Sequence, residues 1–143
     1  MRAVDTNVLV YAHRKETVHH GAARDLLESL AVGQDPWAIP WPCMYEFLRV
    51  VTHPGVFHPP TPVPLAWDAV RSLLRSPSAI VLHETERHEE VLSLIIEDAR
   101  PSGNLVHDAH IAALAMEHGV NEILTTDDDF KKFGAVRSVN PFK

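Results

Sequence analysis

Short apolar runs alternate with amphipathic segments along the whole chain, and this alternation limits the fold more than any other feature of the sequence. The runs that read as strands are centred on Ala3–Val4, Trp37–Pro40, Ala79–His83, Glu122–Thr126 and Val136–Val139. The segments between them space their apolar residues as helices do, over residues 19–33, 43–52, 65–75, 87–100 and 104–119. Such alternation predicts an α/β protein: a three-layer αβα sandwich around a central, mostly parallel sheet.

Composition places the chain among ordinary soluble proteins. Its 143 residues suit one domain spanning residues 1–143, with 45% hydrophobic and 22% charged residues. Cys43 is the single cysteine, so an internal disulfide and a four-cysteine zinc site are excluded. No stretch reaches the roughly 18 uncharged apolar residues of a membrane span, and we expect a cytoplasmic protein.

The net charge of -6 argues against a protein that coats nucleic acid through a basic surface. It leaves room for a nuclease, because acidic residues that hold divalent cations count as negative in the sequence and much less so once the metal is bound.

A polar tripeptide, Asp5, Thr6 and Asn7, interrupts the apolar residues at the start of the chain. One explanation is helix capping, because all three are good N-cap residues and a helix could begin at Val8. The other is that Asp5 stands at the carboxyl end of a central parallel strand, where open α/β sheets place their ligand sites. The tripeptide alone does not decide between them.

Other acidic residues are expected at the same edge of the sheet. Asp127, Asp128 and Asp129 follow the strand-like "EILTT", whereas Glu46 and Asp108 lie near the beginnings of their predicted helices. Each has a simpler explanation, since a first-turn carboxylate complements the helix dipole and an exposed helix face is normally polar. Their convergence on one edge indicates a site instead.

Four segments resemble a known family when they are read in order. "VDTNVLVY", "MYEFLRV", "NLVHDAHIAALAMEHG" and "ILTTDDDF" are similar to the successive motifs of PIN domains, and among these of the VapC toxins of bacterial toxin–antitoxin pairs. The resemblance extends from Val4 to about Pro141. It implies a metal-dependent endoribonuclease that hydrolyses RNA phosphodiesters and arrests growth or translation.

The same resemblance assigns roles to individual residues and suggests partners. The implied catalytic residues are Asp5, Glu46, Asp108 and Asp127, with Thr6 and Asn7 positioning substrate or water. Asp5, Asp108 and Asp127 would bind the metal, with Glu46 and Asp129 as secondary ligands. Oxygen donors of this kind favour Mg²⁺ or Mn²⁺. The implied partners are an RNA substrate, a small antitoxin and a second copy of the chain.

Competing interpretations rest on weaker signals. His107 and His110 have the i, i+3 spacing of a possible zinc pair, but no H-E-x-x-H motif is present. Serine-hydrolase elbows and phosphate-binding glycine loops are also absent, and Asn7 stands where an aspartyl-phosphate hydrolase usually carries a second aspartate. A catalytically silent PIN-like module that binds RNA or protein remains the alternative function.

Overall fold

In the computed structural model, which describes residues 1–143, five short strands form one sheet. They are β1 (Arg2–Val4), β2 (Trp37–Pro40), β3 (Ala79–Leu82), β4 (Glu122–Leu124) and β5 (Arg137–Val139). Their order across the sheet is β3-β2-β1-β4-β5, and all four pairings are parallel.

Six helices flank the sheet and connect the strands. They are α1 (Thr6–His13), α2 (His20–Val32), α3 (Trp41–Val51), α4 (Val63–Leu74), α5 (His88–Ala99) and α6 (Leu105–Glu117). A 3-10 turn, Asp128–Lys132, follows β4. The predicted α/β sandwich is therefore confirmed, and the sheet is entirely rather than mostly parallel.

Most element boundaries differ by one or two residues from the sequence-based prediction, and three of these differences have a clear local cause. Helix α1 begins at Thr6 rather than Val8, because Asp5 itself provides the cap. Helix α4 begins at Val63, two residues early, since Pro64 fits into a first helical turn whose amides need no partner. Strand β4 ends at Leu124 because the Thr125 hydroxyl accepts the Asp127 amide at 3.0 Å and turns the chain.

Helices cover both faces of the sheet. Successive strand residues point to opposite faces, and the neighbours Ala3 and Val4 of β1 are both fully buried. All four residues of β2 are buried as well. Helix α6 contributes alanines at positions 109, 112, 113 and 115 to this core, and such small side chains permit close helix packing. None of the helices is long and apolar enough to cross a membrane.

The strand order creates a crevice at the middle of the sheet. From β1 the chain moves outward to β2 and β3, and it then returns to place β4 and β5 on the other side of β1. The connections leaving β1 and β4 therefore diverge, which opens a space beyond their carboxyl ends. Open parallel sheets bind ligands at such a point.

Helix α3 offers a matched pair of aromatic residues for testing the core. Phe47 is 1% exposed, whereas Tyr45 on the same helix is 68% exposed. We expect Phe47→Ala to lower the free energy of unfolding by about 3–5 kcal/mol because it leaves a cavity. Tyr45→Ala is the control and should cost less than about 1 kcal/mol in a urea titration. Equal losses in the two variants would contradict the packing described.

Candidate active site

Asp5 has both of the roles that its sequence position allows, as a helix cap and as a carboxylate at the end of a central strand. Its amide continues the β1–β4 ladder by donating to the Leu124 carbonyl at 3.0 Å. Its Oδ1 accepts the Thr6 amide at 2.7 Å and so caps α1, while its Oδ2 accepts the Thr125 hydroxyl at 2.7 Å. The carboxylate is thus a helix cap and also stands, 6% exposed, at the central crevice.

Asn7 and Thr125 connect the end of β1 to the end of β4. The Asn7 amide nitrogen donates to Asp5 Oδ2 at 3.2 Å and to Thr125 Oγ1 at 3.0 Å. Its carbonyl oxygen accepts the Thr126 amide at 3.2 Å. The side chain of Asn7 therefore fixes Asp5 and the chain beyond β4 in one arrangement.

Thr6 and Cys43 lie on the α3 side of Asp5. The Thr6 hydroxyl donates to the Cys43 carbonyl at 3.5 Å, which ties α1 to α3. The Cys43 thiol donates to Asp5 Oδ1 at 3.6 Å. Burial and the charge of Asp5 raise the pKa of the Cys43 thiol well above its ordinary value, so it remains a neutral donor.

Three aspartates converge opposite Asp5. Asp108 lies in the first turn of α6, Asp127 caps the 3-10 turn and Asp129 lies within that turn. Their carboxylate oxygens are all within 4.8 Å of one another. Asp127 Oδ1 accepts the Asp129 amide at 2.8 Å, which holds the turn. Asp128 is exposed and instead pairs with Lys131 at 3.0 Å.

Glu46 reaches the same space from α3. It lines a cavity of about 220 Å³ together with Asp5, Asp108 and Asp127, and Thr6 and Asn7 also line that cavity. A second, larger groove of about 1030 Å³ continues past Glu46 and includes Asp129. Glu46 Oε1 lies 3.7 Å from the Arg49 guanidinium one turn further along α3. All the predicted site residues therefore border one continuous depression.

The accumulated negative charge perturbs the carboxylates. Burial is the main cause that raises the pKa of Asp108 to about 7, and the negative charges nearby contribute to the same rise, in the order Asp127, Asp5, Asp129 and Glu46. Burial also raises the pKa of Asp5, although hydrogen bonds from Thr125 and Thr6 act against it. Carboxylates that repel one another in this way are stabilised by a bound cation.

The donors in this depression fit a hard divalent cation. Carboxylate oxygens from Asp108, Asp127 and Asp129 converge, with Asp5 beside them, and Mg²⁺ or Mn²⁺ prefers oxygen ligands of this kind. The neutral Cys43 thiol already donates to Asp5 and is not available as a thiolate ligand.

The competing zinc interpretation named His107 and His110, and of these two only His110 belongs to a cluster of three or more metal-ligating side chains. His110 Nε2 instead contacts Glu84 Oε1 at 2.6 Å, and the ligand cluster there contains Glu84, His88 and His110. His107 is exposed and lines the larger groove without joining that cluster.

Two residues of the site were not predicted from the sequence: Thr125 and Cys43. Thr125 supplies the closest side-chain contact to Asp5. Its position at the carboxyl end of the predicted strand Glu122–Thr126 is a signal that could have indicated it. For Cys43 no such signal exists, because its contact with Asp5 depends on how α3 packs against α1.

Comparison with known proteins gives the same assignment along the whole chain. The sequence model of the PIN domain matches residues 2–136. Ribonuclease VapC43 of Mycobacterium tuberculosis is 40% identical over 141 residues, which cover 99% of this chain and 95% of that protein. Ribonuclease VapC37 of the same organism is 36% identical, with 99% and 97% covered.

Solved structures share the fold. VapBC2 from Rickettsia felis, bound to a DNA fragment from its promoter, matches with a TM-score of 0.70 at 17% identity, covering 97% of each chain. VapC20 of Mycobacterium tuberculosis, a Sarcin-Ricin loop cleaving toxin, matches with a TM-score of 0.68 at 19% identity, covering 95% of this chain and 97% of that one. This chain belongs to the PIN domain family and, within that family, to the VapC ribonucleases.

Proposed function

We propose that this protein is an endoribonuclease that hydrolyses RNA phosphodiester bonds with Mg²⁺ or Mn²⁺, as the toxin of a toxin–antitoxin pair. One observation carries the proposal: the carboxylates of Asp108, Asp127 and Asp129 converge beside the buried Asp5 at the central crevice of the sheet. The VapC ribonucleases to which the chain is related support the same activity.

Asp5, Asp108 and Asp127 would hold the cation, with Asp129 and Glu46 as further donors. A divalent cation bound there would stabilise charge on the phosphodiester and lower the pKa of a water molecule. The position of Asp129 supports its role as a metal ligand, since its carboxylate oxygen lies within 4.8 Å of those of Asp108 and Asp127.

The remaining residues have positioning roles in this proposal. Glu46 borders the cavity from α3, where, if it is not a metal ligand, it would orient the attacking water and accept its proton. Asn7 fixes Asp5 through its amide nitrogen, and Thr6 anchors α1 to α3 so that the carboxylate keeps its direction. Hydrolysis would leave a 5′-phosphate and a 3′-hydroxyl.

The larger groove has features suited to RNA. Trp41 and Tyr45 lie on its wall with ring centroids 5.8 Å apart and an interplanar angle of 29°. Arg49 follows one turn later on the same helix and also lines the groove. Unpaired bases stack on aromatic rings and phosphates bind arginine, so this row would hold an RNA loop next to the carboxylates.

An antitoxin and a second copy of the chain are the proposed protein partners. The names of the structural neighbours describe VapBC complexes. An antitoxin segment would cover the acidic groove and extend an Arg or Lys to the carboxylates. Val56, Leu65 and Trp67 expose apolar surface along α4 and the loop before it, where a protein contact would bury them.

Removing a single carboxylate tests catalysis. We expect Asp5→Asn and Asp108→Asn each to reduce Mg²⁺-dependent cleavage of structured RNAs by about 10²-fold or more, with an unchanged circular dichroism spectrum. Asn is as good an N-cap as Asp, so the Asp5 variant should fold. Asp128→Asn, on the exposed side of the 3-10 turn, is the matched control and should retain activity. Full activity in Asp5→Asn would reject the proposed nuclease mechanism.

Asp108 also predicts how stability depends on pH. Its pKa is raised from 3.8 to about 7 in the folded protein, so its stabilising protonated form is fully present below pH 3.8 and is lost as the pH rises through 7. In the absence of divalent cations, Asp108→Asn should therefore melt at a higher temperature than the wild type above pH 7, and at a similar one below pH 3.8. Millimolar Mg²⁺ should raise the melting temperature of the wild type more than that of the variant. The opposite order of melting temperatures at high pH would show that Asp108 is not repelled by its neighbours.

Complex formation tests the proposed partners. Purified alone, the protein should elute as a homodimer in size-exclusion chromatography with light scattering. Co-expressed with the small protein encoded beside it, the protein should copurify as a larger complex in which RNA cleavage is inhibited. A monomer that captures no such protein would argue against the toxin–antitoxin assignment while leaving the nuclease activity to its own test.

A further inference from the structure

A second group of metal-ligating side chains lies beyond the acidic residues. Glu84 follows β3, His88 begins α5 and His110 lies on α6, and their ligating atoms are all within 4.8 Å of one another. His110 Nε2 contacts Glu84 Oε1 at 2.6 Å. The rings of His88 and His110 lie 5.5 Å apart at 63°. Three separate elements thus deliver one carboxylate and two imidazoles to the same point.

A buried carboxylate fixes the direction of His88. Glu117 Oε2 lies 2.7 Å from His88 Nδ1, and the Glu117 side chain is 0% exposed. Its other oxygen accepts the amide and the hydroxyl of Thr85 at 2.9 and 2.7 Å. Glu117 is therefore held as an acceptor, so His88 Nδ1 donates to it and Nε2 is the ring nitrogen left to face a metal. Histidines that bind metals are oriented by a carboxylate in this manner.

We propose that Glu84, His88 and His110 bind a transition-metal cation of the Zn²⁺ class. Two imidazole nitrogens and one carboxylate oxygen are the donors that such metals prefer, whereas the acidic site offers only oxygens. If His88–Glu117 and His110–Glu84 were only two separate ion pairs, the two histidine rings would have no need to lie next to one another. The convergence of both pairs on one point is the feature that a shared cation explains.

The proposed cation site lies on the wall of the larger groove. Glu84 and His110 line the larger groove together with Asp108 and Asp129. Three protein ligands leave a coordination position open in a tetrahedral site. A cation held there would add positive charge to a groove wall on which acidic residues outnumber the single arginine, and it would offer a position to a phosphate oxygen or to water.

Zinc titration of matched histidine variants tests the proposal. After removal of metals with a chelator, the full-length protein is titrated with Zn²⁺ by calorimetry. We expect His88→Gln and His110→Gln each to weaken binding of Zn²⁺ by at least about tenfold, and Glu117→Gln to weaken it by about 10–100-fold. His107→Gln, on the same helix but outside the cluster, is the control and should bind as the wild type does.

A further variant separates this site from the proposed nuclease centre. Asp108→Asn should keep the high-affinity Zn²⁺ site, since Asp108 belongs to the other cluster. Loss of Zn²⁺ binding in Asp108→Asn, with unchanged binding in both His88→Gln and His110→Gln, would overturn the proposal without touching the nuclease assignment.

A spectroscopic measurement avoids dependence on the variants folding. In the wild type, Zn²⁺ should shift the imidazole nitrogen signals of His88 and His110 in a long-range ¹H–¹⁵N spectrum, and leave those of His107 in place. Unchanged His88 and His110 signals at saturating Zn²⁺ would overturn the site.

Discussion

The parallel pairing of β1 with β4 is the contact on which the site depends. Because Val4 lies opposite Leu124, Asp5 leaves the sheet beside Thr125, and the two side chains join at 2.7 Å. Asp127 follows two residues later, where the Thr125 hydroxyl turns the chain. The connections that leave β1 and β4 run to opposite sides of the sheet, so a space opens between them. A change of register between these strands would separate Asp5 from the acidic residues beyond β4.

The site concentrates negative charge that the protein itself only partly compensates. Asp5 receives hydrogen bonds from Thr6, Asn7 and Thr125, which suit a buried carboxylate. Asp108 is half-buried among other acidic groups, and its pKa is raised to about 7 first by burial and then by the charges of those neighbours. The repulsion among these carboxylates lowers the stability of the protein at this site, and a bound divalent cation would neutralise it.

The sequence predicted the parts of this structure that depend on local pattern. Strand and helix alternation was sufficient for the fold, and the rule that parallel strands end at one edge brought Asp5 and Asp127 to the same place. Individual side-chain contacts between segments distant in the sequence could not be predicted from the sequence. Thr125 meets Asp5 only because β1 pairs with β4, and Asp129 joins Asp108 only because a 3-10 turn follows β4.

The histidines show the same limit in another part of the chain. Spacing within one helix suggested His107 and His110 as partners, but His88 and Glu84 are the residues that meet His110. That meeting follows from the packing of α5 against α6, which no spacing along a single helix reveals.

Locating Mn²⁺ in crystals of the protein shows whether Asp5, Asp108 and Asp127 form a metal site, because the anomalous signal of the metal gives its position without reference to activity. We expect the site to give a peak bonded to carboxylate oxygens of these three residues when crystals are soaked in millimolar Mn²⁺, and to lose that peak in Asp108→Asn. Crystals of the wild type that show no Mn²⁺ among these carboxylates would contradict it.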